Sequence, residues 1–227
     1  MKPVIIGNAE LWLGDCMDYM KPLLDKMFDL AIVDPPYGIG AGKGTEIYIS
    51  NNKKWDNKGI VKNECTIYGD WDSEIPDEKY FQELFRVSNN QIIWGGNYFN
   101  LPPSPCYIVW DKENGDSFFA DGELAWTSYK TKLRIFRYLS CGFMGSHKNR
   151  DTRIHPTQKP VKLYEWLLTN YAKPGQVILD THLGSGSSAI ACNKMGYKLV
   201  GIEKDEDYFN AACERIDQAQ RQGRLFA

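Results

Sequence analysis

The chain has no apolar run near the roughly 18 residues that a bilayer-spanning helix needs. Its opening, MKPVIIGNAELWLGD, has a short apolar piece but neither a long hydrophobic region nor a small-residue cleavage site. A cytoplasmic protein with no membrane partner is expected. Cys-x-x-Cys pairs are missing too. The six cysteines, Cys16, Cys65, Cys106, Cys141, Cys192 and Cys213, are scattered, which argues against a disulfide framework and a zinc knuckle. Charge of either sign is not in excess: 27 Lys and Arg face 29 Asp and Glu, a net of −2. No whole-molecule field therefore draws the protein to a polyanion, and such a partner must be met by a local basic patch. No internal repeat and no low-complexity tract appears. What these absences leave is an ordinary globular composition, 43% hydrophobic and 25% charged, in 227 residues. That length suits one sizeable domain with its own core.

Six short apolar runs read as buried, parallel strands: Phe28–Val33, Gln91–Gly96, Cys106–Trp110, Glu123–Ser128, Gln176–Asp180 and Lys198–Glu203. Helical patterns lie between them. DEKYFQELFRVS puts Tyr80, Phe81, Leu84 and Phe85 on one face, and PVKLYEWLLTNYA opens on Pro160, a favoured first-turn residue. The alternation predicts an α/β fold, a mostly parallel sheet with helices on both faces. Two stretches break the rhythm. Residues 38–72 are rich in Gly, Lys, Asn and Thr, including Lys43, Lys53, Lys54 and Lys58. Residues 128–153 carry Lys130, Lys132, Arg134, Arg137, Lys148, Arg150 and Arg153 against one acid, Asp151, with Tyr129, Phe136, Tyr138 and Phe143 among them. Basic residues interleaved with aromatics suit a nucleic-acid surface.

The most orderly unit is VILDTHLGSGSSAIACNKMGYKLVGIEKDEDY. A strand ends at Asp180, the turn Gly184-Ser185-Gly186 leads into a helix, and the next strand ends at Glu203, 23 residues after Asp180. Glycines let backbone approach a ligand, a helix N-terminus offers free N–H groups, and an acid closing the following strand accepts ribose hydroxyls. A nicotinamide dinucleotide satisfies this loose fingerprint; so does S-adenosylmethionine. Asp180 favours the second, because a carboxylate repels a pyrophosphate and attracts a methionyl ammonium.

LAIVDPPYGIG, Leu30–Gly40, ends a buried strand on an acid, two prolines and a tyrosine. An exocyclic amino group on a base is a poor nucleophile, because its lone pair is delocalised into the ring. The Asp34 carboxylate and the Pro35 carbonyl can each accept one N–H and turn that lone pair outward. Pro35 and Pro36 have fixed φ and no N–H, so the acceptors are stiff, and Tyr37 offers a face for a stacked base. Methyl transfer to such a nitrogen needs in-line positioning and no metal.

DPPYGIG, GDCMDYM, HPTQKPVKLYEWLL and the glycine unit together resemble the DNA amino-methyltransferases that modify adenine N6 or cytosine N4. The likeness covers most of the chain. With the catalytic turn before the cofactor turn, the order is that of the permuted group called beta. The resemblance implies a Rossmann-like S-adenosylmethionine-dependent methyltransferase fold with circularly permuted motifs. It implies one catalytic domain over 1–227, with candidate DNA-recognition segments at about 38–72 and 128–153. By the same resemblance, Asp34, Pro35, Pro36 and Tyr37 hold a flipped-out base. Asp180, Gly184, Ser185 and Gly186 line the methionine end of the cofactor, Glu203 takes the ribose, Asp15 lies near the adenine, and Thr157 and Lys159 approach the methionyl carboxylate. The expected partner is double-stranded DNA, with a homodimer possible. The Asp-Pro-Pro-Tyr form is commoner among adenine-N6 enzymes, so adenine is favoured over cytosine N4. Methylation of RNA or of a protein amide, a nicotinamide-dependent oxidoreductase and a binding module without catalysis stay as alternatives. One departure stands out: where family members often read Asp-Pro-Phe, this chain has Asp180-Thr181-His182.

Overall fold

Val, Ile, Leu and Ala dominate FDLAIV, whose last four residues are all buried, as a strand covered on both faces requires. This strand, β3 (Phe28–Val33), lies near the middle of a nine-stranded sheet. The computed structural model describes residues 2–40, 72–115, 120–139, 154–155 and 157–225. Chain order runs β1 (Val4–Ile6), β2 (Ala9–Leu13), α1 (Cys16–Met20), β3, α2 (Glu78–Val87), β4 (Ser88–Trp94), β5 (Tyr107–Asp111), β6 (Gly122–Thr127) and β7 (Arg134–Arg137). It continues with α3 (Val161–Tyr171), β8 (Val177–Asp180), α4 (Ser187–Met195), β9 (Lys198–Glu203) and α5 (Glu206–Leu225). The sheet order is β1-β2-β9-β8-β3-β4-β6-β5-β7.

From β2 through β9, β8 and β3 to β4 every pairing is parallel. Helices cover both faces. On one, α3, α4 and α5 bring Leu163, Leu167, Ala189, Ile190, Phe209 and Ile216 against the sheet. On the other, α1 and α2 contribute Met20, Tyr80, Phe81, Leu84 and Val87. In α2, Asp77 caps the helix by accepting the Tyr80 N–H at 2.9 Å, an arrangement worth about 1 kcal/mol. All six expected strands form, but one does not run as expected. β6 is antiparallel to both β4 and β5. The ten residues between β5 and β6 are too few to hold a crossover helix, so the chain turns back on itself. Sequence patterning also misses β1, β2 and β7. AELWL has an acid in its middle and RIFR is flanked by charge, so neither resembles a doubly covered strand.

Topology alone gathers chemistry at one edge. The carboxyl ends of β2, β9, β8 and β3 face the same way, and such an edge is where open α/β sheets bind ligands. β5 is parallel to β7 and lies, two antiparallel pairings away, in the same direction as β4. The chain thus leaves β3 at Asp34 and β7 at Arg137 on that same edge. Most of 38–72, including Lys43, Lys53, Lys54 and Lys58, lies outside the described residues, as do Phe143, Lys148, Arg150 and Arg153.

Candidate active site

Four acids stand along the carboxyl edge in the spatial order Asp15, Glu203, Asp180, Asp34, one beyond each of β2, β9, β8 and β3. Their sequence order is different; the parallel pairing sets the spatial one. Adjacent strands are about 4.8 Å apart, so the row is extended rather than clustered.

At one end, Asp15 caps α1 by accepting the Met17 N–H at 2.8 Å, and Lys204 Nζ lies 3.5 Å from its other oxygen. Glu203 is held by backbone: Oε2 accepts the Gly184 N–H at 2.7 Å, and Oε1 accepts those of Lys204 and Asp205 at 2.9 and 3.0 Å. Burial raises its pKa above the ordinary glutamate range, against those hydrogen bonds. Glu203 thus organises the glycine turn as well as facing the space above it.

The two turn glycines have different tasks. Gly184 has φ +51°, and the nearest atom to a Cβ built there is a His155 ring carbon at 3.8 Å, so its backbone is accessible. Gly186 has φ +74° and caps α4; a Cβ there would lie 2.7 Å from Ile216 Cδ1, so this glycine serves helix packing against α5. Ser185 turns inward, its hydroxyl 3.1 Å from that of Ser187 and its carbonyl accepting from Arg215 at 2.7 Å.

Asp180 is 2% exposed. Oδ2 accepts the Ser188 hydroxyl at 2.5 Å and Oδ1 the His182 N–H at 3.2 Å. Among the described residues no cationic side chain forms an ion pair with it. Burial, only partly opposed by the Ser188 and His182 hydrogen bonds, pushes its pKa up to about 7. Next to it, Thr181 Oγ1 is 2.7 Å from the Tyr80 hydroxyl and 3.0 Å from His182 Nδ1, and the His182 ring meets the edge of Tyr80. Burial lowers the His182 pKa to about 4, so the imidazole is neutral at pH 7. Where Pro and Phe often stand in the family, a hydrogen-bonded wall has formed.

The Asp34 end is built differently. Oδ1 accepts the Tyr37 hydroxyl at 2.6 Å, and Lys159 Nζ lies 2.5 Å from Oδ2. Lys159 is 3% exposed, and its ammonium also faces Glu123 Oε2 at 3.0 Å, donates to the Tyr37 hydroxyl at 3.2 Å and lies over the Trp94 ring. Glu123 pairs again with Lys112 at 2.7 Å. Burial raises the pKa of Asp34 and Lys159 opposes it; burial also pushes Glu123 up, but its two lysines together outweigh that and hold it at about 2. Burial disfavours the Lys159 ammonium, yet the two carboxylates overcome this and raise its pKa. The turn itself is pinned by Asp72, whose Oδ1 accepts the Tyr37 and Gly38 N–H groups at 2.6 and 3.0 Å.

Tyr37 is partly packed. Tyr98 stacks on it at 5.1 Å between centroids and 15° between planes, Phe99 meets it edge-on, and a Cβ at Gly95 would lie 2.2 Å from its Cε1. Asp34, Pro35, Pro36, Tyr37, Asp72, Glu123, Thr157 and Lys159 line one open cleft of about 310 Å³. Thr157 thus sits at the mouth of the Asp34 cleft, its hydroxyl 3.1 Å from His155 Nδ1.

Sequence reasoning places Lys159 toward the methionyl carboxylate; the structure places it on Asp34. It misses Glu123 and Asp72 altogether. Glu123 opens an apolar strand, and an acid in that position is the one signal that marks it. Asp72 follows a stretch with no periodicity and carries no local signal. In the basic segment, Tyr129 donates to the Tyr171 carbonyl at 2.8 Å, Phe136 packs on Trp166, and Arg134 lies over the Trp166 ring and bonds Asn170 at 2.9 Å. These residues fasten β7 to α3; Lys130 and Lys132 are exposed.

The DNA methylase family N6_N4_Mtase matches residues 103–214. The chain is 27% identical over 247 residues to the type II methyltransferase M.HpaI of Haemophilus parainfluenzae, covering 92% of this chain and 74% of that protein. It is 22% identical over 258 residues to the type II methyltransferase M2.MboI of Moraxella bovis, covering 93% and 88%. Over most of its length the chain is thus similar to DNA amino-methyltransferases. That likeness favours S-adenosylmethionine over a nicotinamide dinucleotide at the glycine turn. Solved structures agree on the fold. The cytosine-N4-specific PvuII DNA methyltransferase superposes with a TM-score of 0.58 at 14% identity, covering 97% of this chain and 94% of that one. The M1.HpyAVI-SAM complex gives 0.54 at 18% identity, covering 91% and 99%. The fold is thus the Rossmann-like fold of S-adenosylmethionine-dependent methyltransferases. No helix among the described residues is long and apolar enough to cross a membrane.

Proposed function

We propose that this chain uses S-adenosylmethionine to methylate the exocyclic amino group of a base flipped out of duplex DNA, adenine N6 in particular, and does so as one catalytic domain with the beta-type, permuted motif order. The observation that carries the reading is the row of acids on one sheet edge. In that row Asp15 is next to the cofactor adenine, Glu203 faces the ribose, Asp180 the methionyl ammonium, and Asp34 the target amine.

The residues fit the cofactor. Among the described residues Asp180 is a buried carboxylate with hydrogen-bond donors but no cation, and it gains most from a ligand that brings one. Gly184 presents open backbone, and Glu203 is aimed by three N–H groups. When bound, S-adenosylmethionine supplies a methyl on positively charged sulfur, which departs as a neutral thioether once nitrogen has taken the methyl.

The chain's own residues prepare that nitrogen. Asp34 accepts one amino N–H and the Pro35 carbonyl accepts the other, so the lone pair points toward the methyl. Asp34 then takes the proton that the methylated nitrogen sheds. Each carboxylate oxygen accepts more than one hydrogen bond, so Tyr37 and the amine can share Asp34. The base takes the place of Tyr98, which is 43% exposed, on the face of Tyr37. Extrusion from the duplex costs a few kcal/mol. Phosphate contacts from the segments that leave β3 and β7 at this edge offset it.

Support for adenine is the Asp-Pro-Pro-Tyr turn. Cytosine N4 is the second reading, favoured by the likeness to the PvuII enzyme. Duplex DNA incubated with methyl-labelled cofactor and digested to nucleosides separates them. Label in N6-methyladenine is expected. Label confined to N4-methylcytosine overturns the adenine assignment, and label in neither overturns the activity.

A further inference from the structure

Lys159 is almost fully buried, yet its charge is divided between two carboxylates that face each other across the cleft, Asp34 Oδ2 at 2.5 Å and Glu123 Oε2 at 3.0 Å. Nothing in the methyl-transfer reading needs Glu123. Its backbone is in β6, which runs against β4, so the first residues of that strand arrive at the carboxyl edge where Asp34 leaves β3. Lys112, at the start of the segment after β5, holds the other Glu123 oxygen at 2.7 Å. A connected network results: Lys112, Glu123, Lys159, Asp34 and Tyr37, with Lys159 also donating to the Tyr37 hydroxyl.

The physical problem at Asp34 has two sides. A carboxylate in a desolvated cleft tends to take a proton, and a protonated Asp34 has lost the charge that makes it a good acceptor for the amine. A buried ammonium cures this but creates a second difficulty. An undivided ion pair in a low-dielectric site is hard to break, and Asp34 would stay locked on Lys159 while the amine competed for it.

We propose that Glu123 and Lys159 are a positioning pair in which Lys159 keeps Asp34 ionised and aimed, while Glu123, by holding the same ammonium, lets Asp34 exchange it for the amino group of the base. Lys159 moves toward Glu123 when the amine arrives, a small displacement given the two distances. Neither residue touches the reacting atoms; both act through Asp34. The inference deepens the reading of Asp34 given above and rests on it.

The groups that face Asp34 are Lys159 from the segment before α3, Glu123 from β6 and Tyr37 from its own turn. Tyr164 of α3, Tyr80 of α2 and Asp180 of β8 lie within reach of its field. Of these, Lys159 is the one cation, so the two substitutions act in opposite senses. Glu123→Gln removes a negative charge and leaves Lys159 wholly to Asp34, so Asp34 ionises at lower pH. Lys159→Met removes the cation, so Asp34 ionises at higher pH.

The test is made on the full-length chain with two readouts. One is the pH titration of the Asp34 carboxyl carbon by NMR in the cofactor-free protein, assigned by its loss in Asp34→Asn. The other is the acidic limb of kcat/KM for DNA. Glu123→Gln is expected to move both to lower pH and to cut kcat on the plateau by at least about tenfold, within the range of a proton-handling residue. Lys159→Met is expected to move both to higher pH. Should Lys159→Met not fold, the nearly isosteric Glu123→Gln decides alone. An Asp34 titration that is unmoved or moves upward in Glu123→Gln overturns the proposal, as do same-direction shifts in the two variants. A wild-type protein inactive on DNA whose Asp34 titration still shifts oppositely in the two variants removes the reaction and leaves the pair. An active wild type with an unmoved titration removes only the pair.

Discussion

Asp180 and Asp34 end neighbouring parallel strands, and burial works against the charge of each. The protein answers in opposite ways. Around Asp180 it supplies dipoles, the Ser188 hydroxyl and the His182 N–H, and among the described residues no counter-charge. Around Asp34 it supplies a whole cation, the buried Lys159 ammonium. The first site is incomplete without a positive ligand. The second is complete on its own and suits a neutral one. Under the proposed reaction these are the ammonium of the cofactor and the amine of the base, so each acid carries the electrostatic environment that its ligand lacks.

Removing Asp34 gives the largest expected effect. Asp34→Ala should lower methyl transfer by about 10²–10³-fold or more, as loss of a preorganised partner does, while cofactor binding by calorimetry stays near wild type. Equal loss of both would merge the two regions into one site. Glu203→Ala acts on the other region. Loss of its charged hydrogen bonds to the ribose, about 1.5–3 kcal/mol, should weaken cofactor binding by about tenfold to a hundredfold. A change in DNA affinity alone would remove the ribose assignment.

Asp180 makes the contrast visible in pH. An ammonium binds the ionised carboxylate, so cofactor affinity should rise by up to about tenfold per pH unit below about 7. It should level off above that, until the cofactor's own amine loses its proton. Calorimetry in buffers of different ionisation heat should show proton release on binding near pH 6. The same raised pKa has a second consequence. The folded state binds the proton more tightly than the unfolded one, so the Asp180 contribution to stability is present below about pH 4 and is lost as pH rises through about 7. The smallest effect separates the glycines. Gly186→Ala drives a methyl toward Ile216 and should lower stability by about 1–3 kcal/mol. Gly184→Ala has no such clash and carries only the strain of φ +51°, so its stability loss should be the smaller of the two and be joined by a loss of cofactor affinity.

Much of this was readable from residue order. FDLAIV, QVILD and KLVGIE are strands because their apolar side chains have no polar face to show, and their parallel pairing follows from the helical patterns between them. Asp34, Asp180 and Glu203 were readable as acids on the carboxyl edge because each closes such a strand. β2 was not, since Glu10 interrupts its apolar pattern, and with it went the structural reason for placing Asp15 beside Glu203. The antiparallel run of β6 depends on a connection too short for a helix, which no local propensity encodes.

By itself the sequence determined the α/β alternation, the acids at strand ends, the stiff Asp-Pro-Pro-Tyr turn and the likeness to the amino-methyltransferases, because each is a matter of which residue follows which. Only the tertiary structure decided that Lys159 pairs with Asp34, that Glu123 and Asp72 line the same cleft, and that Gly186 packs against α5 while Gly184 leaves its backbone open. Charge pairing and close approach depend on distance in space, and residues 34, 72, 123 and 159 meet only when the sheet is assembled.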